Sequence, residues 1–70
     1  MNHPYRVIGY DDKDRHLFVV DVVAPFSSVA QMMVLAQLHG NVETSALVDK
    51  AARVDTQRAD RRVAVARPPP

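Results

Sequence analysis

Cysteine is absent from this 70-residue chain, so are tryptophan residues, and glycine occurs only at Gly9 and Gly40. The first absence excludes disulfides and thiolate metal sites, and is in keeping with a reducing compartment. The scarcity of glycine excludes a Gly-rich phosphate-binding loop. No apolar run approaches the roughly 20 residues needed to span a bilayer as a helix. The start, MNHPYR, lacks the apolar segment of a secretory leader. A soluble, cytoplasmic protein without a membrane role is the expectation. A large excess of either charge is missing too. Nine basic and eight acidic residues leave a net charge of +1, too little for a strongly basic nucleic-acid binder.

Length sets a second bound. Seventy residues make one domain that buries only about 60% of its unfolded surface. Domains this small gain stability from disulfides, metals or partners. With the first excluded, partner binding or self-association as a homodimer is the expected compensation.

The residues present are unevenly placed. Residues 5–54 are rich in Val, Leu, Met, Ile and Phe. From Asp55 the chain reads DTQRADRRVAVARPPP, without Leu, Ile, Met or an aromatic ring. We therefore expect residues 1–54 to fold and 55–70 to form a polar, basic, Pro-ended tail, disordered in part. Asp11, Asp12 and Asp14 cluster near one end of the sequence; Arg53, Arg58, Arg61, Arg62 and Arg67 cluster near the other.

Tyr5–Tyr10 and His16–Val23 are β-branched and aromatic, and the intervening Asp-rich stretch forms turns. An antiparallel hairpin is predicted, with Phe18, Val20 and Val22 on one face and Leu17, Val19, Asp21 and Val23 on the other. Asp21 stands alone among apolar neighbours, where pairing with an arginine or a solvated face explains it better than a charged contact. Gly9 marks a bulge or a close backbone approach. After Pro25, Ser27 or Ser28 with Gln31 reads as a capping box for a helix to about His39, ended by Gly40 and Asn41. That helix carries two apolar stripes. One is Val29, Met32, Met33 and Ala36; the other is Val34, Leu35 and Leu38. One stripe suffices for a surface helix. We take the second as a contact surface for another helix, a twin subunit or another protein. Core filling is the competing role for at least one of the two methionines. Thr44 or Ser45 caps a second helix to Val54, with Leu47, Ala51 and Val54 on one face, fraying over Asp55–Arg62. Arg62–Arg67 (RVAVAR) alternates in polarity, fitting either a third strand or a free tail. Pro68–Pro70 favour extended geometry. The fold class is α+β: an N-terminal hairpin, two helices, and a basic tail able to add a strand.

Catalysis needs a nucleophile with a base, paired carboxylates or a metal. Ser27, Ser28 and Ser45 have structural explanations as helix caps. The Asp11–Asp14 cluster lacks the glycine and distal glutamate of a calcium loop. His3, His16 and His39 have no partner at metal-ligand spacing. No catalytic residue, cofactor or metal site is expected, and we read the chain as a non-enzymatic binding protein.

Two binding readings follow. MMVLAQLHGNVETSALVDKAARV has the helix, glycine-containing turn and helix of a DNA-binding helix-turn-helix. Its second helix balances Lys50 and Arg53 against Asp49 and Asp55, which is poor chemistry for phosphate. The favoured reading is a regulator that binds protein, through Arg58, Arg61, Arg62 and Arg67 by charge and through Val34, Leu35 and Leu38 as an apolar patch. The YRVIGY…HLFVVDVV hairpin, the SSVAQMMVLAQLHG helix and the RRVAVARPPP tail give an organisation that resembles small phage-encoded proteins that bind host RNA polymerase. The resemblance implies a polymerase subunit as partner in the host cytoplasm. It also implies a steric mechanism, either inhibiting initiation or promoting antitermination.

Overall fold

A computed structural model describes residues 1–59 of the chain. Its elements are β1 (His3–Tyr10), β2 (His16–Ala24), α1 (Ser27–His39), α2 (Val42–Lys50) and β3 (Arg53–Arg58). The three strands form one antiparallel sheet in the order β2-β1-β3, and both helices pack on one of its faces. The α+β expectation and the N-terminal hairpin hold, and a third strand follows the helices.

The hairpin turn is built by its acidic residues. Asp11 Oδ1 accepts from the backbone amides of Lys13 and Arg15, and Asp11 Oδ2 accepts from Arg15 Nε at 2.9 Å. Asp14 takes a left-handed conformation, φ 61°, which a short polar side chain tolerates. The cluster's place is therefore a turn.

One irregularity shapes the sheet. Pairing runs evenly from His3 opposite Ala24 to Gly9 opposite Phe18, then jumps to Tyr10 opposite His16. Leu17 is the extra residue of a β-bulge. The bulge corrects the expected alternation: Leu17 turns inward with Phe18 rather than outward with Val19. Gly9 accommodates the Phe18 ring, which occupies the space a Cβ would need.

Tyr5, Val7, Phe18, Ala24, Ala30 and Val34 form the buried core, with Val20, Val22, Val29, Leu35, Leu38, Leu47, Ala51 and Val54 packed around it. Tyr5, Val7, Val20 and Val22 share the helix-facing side of the sheet with Val54 and Thr56 of β3. Ala30 and Val34, one helical turn apart, bring α1 down onto that side. The Thr56 hydroxyl donates to Gln31 Oε1 at 3.0 Å, tying β3 to α1.

Several expected boundaries move. The residue capping α1 is Phe26, with extended backbone and no side-chain cap; Ser27 and Ser28 lie within the first turn, and Gln31 is engaged by Thr56. Asn41 caps α2 through its side chain, which accepts from the Glu43 amide at 2.9 Å. Thr44 instead donates its hydroxyl to the Leu38 carbonyl at 2.6 Å, and Ser45 lies inside the helix. α2 ends at Lys50 rather than Val54, because Arg53–Arg58 pairs along β1 from Tyr10 to Tyr5. Leu47, Ala51 and Val54 all meet the core, but from a helix, a link and a strand. β3 crosses the boundary expected at residue 54, so residues 55–58 belong to the sheet. Arg62–Arg67, with the prolines that follow, lies outside the described residues.

Candidate interaction surface

Among the described residues, the outer side of α1, the sheet face opposite the helices and the outer edge of β2 are uncovered.

On α1 both apolar stripes are present, and the one expected to face a partner is the more buried. Val34 has 0% exposure, and Leu35 and Leu38 are half-buried against the core. This stripe holds the helix to the sheet. Met32 is 64% exposed and Met33 44%, so neither fills the core. Ala36 is exposed beside them, Val29 is half-buried, and Phe26 at the helix start is 66% exposed. Phe26, Val29, Met33 and Ala36 recur at the three- and four-residue spacing that aligns side chains on one helix face, flanked by Met32. The outward surface is an apolar strip of flexible and aromatic side chains.

The open sheet face carries Pro4, Arg6, Ile8 and Tyr10 from β1, between Val19, Asp21 and Val23 of β2 and Arg53, Asp55 and Gln57 of β3. Ile8 is buried there among its strand neighbours, apart from the main core. Arg6 grips Asp21 directly across the strands, Nε to Oδ1 at 2.8 Å and Nη2 to Oδ2 at 3.1 Å. That hydrogen bonding raises Arg6 above its usual pKa and holds Asp21 below the usual carboxylate value. Asp21 is thus the arginine-paired residue of the two simpler readings. The Arg53 guanidinium lies 4.0 Å over the Tyr10 ring, bonds Asp14 at 3.1 Å and pairs with Asp55. Hydrogen bonding to Asp14 is the main cause of its raised pKa. His16 packs edge-on against Tyr10, ring centroids 4.9 Å apart. Both arginines of this face already hold carboxylates, so it offers little to a phosphate backbone.

Arg58 belongs to β3, opposite Tyr5, with its guanidinium 5.8 Å from the Tyr5 ring. It is a strand residue rather than part of a tail. Arg61, Arg62 and Arg67 lie outside the described residues. Among the described residues, no group of three His, Asp or Glu side chains is placed to hold a metal ion, and no helix is long and apolar enough to cross a membrane. His39 Nε2 lies 3.9 Å from Asp49 Oδ1, linking the ends of the two helices. Sequence reasoning missed Phe26, Val19 and Val23 as exposed apolar residues. The signal for Phe26 was its position between Pro25 and the first helical turn, where no sheet or helix face claims it.

No protein-family model, curated protein or solved structure matches the chain.

Proposed function

We propose that this chain is a non-enzymatic regulatory protein that acts by binding another protein through the outward stripe of α1. The observation that carries the proposal is the exposure of Phe26, Met32 and Met33 along one side of a helix whose other side is fully used by the core. An apolar helix face of this kind suits a hydrophobic groove in a partner, and methionine adapts its shape to such a groove. Arg61, Arg62 and Arg67 would add charge contacts to carboxylates on the same partner.

The partner we propose is bacterial RNA polymerase, on the overall resemblance to small phage proteins that bind it. The mechanism is steric, by occupying a surface that initiation or termination requires. A helix-turn-helix mode of DNA binding draws less support. α1 and α2 are joined through Gly40 and Asn41 as that motif needs, but α2 has nine residues and carries Glu43 and Asp49 against Lys50. Acidic residues there oppose a phosphate backbone.

The test is capture from bacterial lysate with and without nuclease. Retention of polymerase subunits after nuclease treatment, lost in a Met32→Lys/Met33→Lys variant, is the expected result. Retention of nucleic acid alone, abolished by nuclease, would overturn the proposal in favour of DNA binding.

A further inference from the structure

The outer edge of β2 is another surface that the described residues leave open. β2 is the longest strand, nine residues, and β1 is its only partner among the described strands. Its other edge presents a row of backbone donors and acceptors with which a further extended strand can pair. The usual protections of an edge are sparse. No lysine or proline interrupts His16–Ala24, its bulge sits at the very start, and its single carboxylate, Asp21, is neutralised by Arg6. The opposite edge differs: β3 has six residues, of which Arg53, Asp55 and Arg58 are charged.

We infer that β2 pairs antiparallel with β2 of a second copy of this chain, about a two-fold axis through Val20. An axis perpendicular to the sheet keeps both helical layers on the same side and pairs like faces. The regular part of the strand after the bulge then pairs Phe18 with Val22, Val20 with itself and Val22 with Phe18 on the core side. Those half-buried valines join the two small cores into one. On the open face, Val19 of each copy lies opposite Asp21 of the other. Centring the axis on Asp21 instead would set two carboxylates directly opposite each other, which is unfavourable. The occupant is a second copy rather than an unrelated strand because this register is apolar throughout its core side and free of like-charge pairs. Self-association also supplies the burial that a short, cysteine-free chain lacks. The surface is separate from the α1 stripe, so the two proposals stand or fall independently.

The experiment is sedimentation velocity on the purified full chain across a wide range of concentration, with Val19→Asp and Val19→Lys beside it. Val19 is 49% exposed on the open face, so neither change enters the core. In this register Val19→Asp creates two carboxylate pairs per dimer and Val19→Lys creates two ion pairs. The wild type is expected to dimerise with rising concentration. Val19→Asp should weaken association by about tenfold, and Val19→Lys should retain or strengthen it. A wild type that stays monomeric at every concentration overturns the inference, as does equal behaviour of the two variants. A mixed-label NMR sample of the wild type provides a check that needs no variant. Intermolecular contacts at the Val20 methyls are expected, and their absence in a dimeric sample overturns the register.

Discussion

A methyl group added at Gly9 would enter the Phe18 ring, which lies over the glycine because the two residues pair directly across the strands on the core side. Overpacking of this kind costs about 1–3 kcal/mol. Gly9→Ala should therefore lower the urea midpoint of unfolding, and Gly9→Ala combined with Phe18→Leu should recover part of the loss. The sequence pointed to Gly9 because an isolated glycine in a strand is rare without a reason. It did not identify Phe18 as that reason, since the contact depends on the cross-strand register. Asp11 makes a second demand at this scale. The backbone amide of Arg15, with further bonds from Lys13 and the Arg15 side chain, holds its carboxyl below the ordinary 3.8, and Arg6 does the same for Asp21. A folded-state pKa below the unfolded one gives stability that is complete above the unfolded value. It is lost as pH falls through the folded one. Denaturation midpoints should fall as pH drops below about 5. Asp11→Asn, which keeps the turn's acceptor and removes the charge, should flatten that fall. A midpoint independent of pH in this range would contradict the assignment. The exposed Arg6–Asp21 pair adds little, because solvent screens it.

At the scale of elements, the strands of the hairpin and the first helix were legible from periodicity, and the side of the helix was not. Two apolar stripes on one helix are equivalent to a pattern of spacing. What separates them is Ala30, whose small side chain lets α1 approach the sheet and carries Val34 with it. Val34→Ala removes two methyl groups from a site with no exposure and should cost about 2 kcal/mol, measured by chemical denaturation. Met32→Lys should change stability by no more than about 0.5 kcal/mol. Comparable losses from both would contradict the assignment of sides. The start of α2 was misplaced by sequence because Thr44 and Ser45 are also good caps. Asn41 wins by the geometry of a tight link, in which Thr44 spends its hydroxyl on the Leu38 carbonyl. Asn41→Ala should destabilise the fold by about 1 kcal/mol. β3 was hidden because RVDTQR is polar. Its alternation of Val54 and Thr56 inward with Arg53, Asp55 and Gln57 outward becomes visible only once β1 supplies an edge to pair with.

For the molecule as a whole, β3 carries the folded unit past residue 54 and changes what a truncation tests. A chain ending at residue 54 loses nearly all of β3 and with it the Thr56–Gln31 bond, so cooperative unfolding should be lost. A chain ending at residue 59 retains all five described elements and should unfold cooperatively. Comparing that shorter chain with the full one isolates what Arg61, Arg62 and Arg67 contribute to partner binding without dismantling the sheet. The candidate surface was only partly legible in sequence for a related reason. Its chemistry, apolar on one helix side and basic beyond the core, follows from composition, whereas the choice of exposed side follows from tertiary packing. The central claim is that Met32, Met33 and Phe26 form a partner-binding strip on the side of α1 that faces away from the sheet. The most direct measurement is binding of the full chain to purified bacterial RNA polymerase, wild type beside the Met32→Lys/Met33→Lys variant, with circular dichroism to confirm the variant's fold. The account predicts binding by the wild type and its loss in a folded variant. Equal binding by both, or none by the wild type, would contradict it.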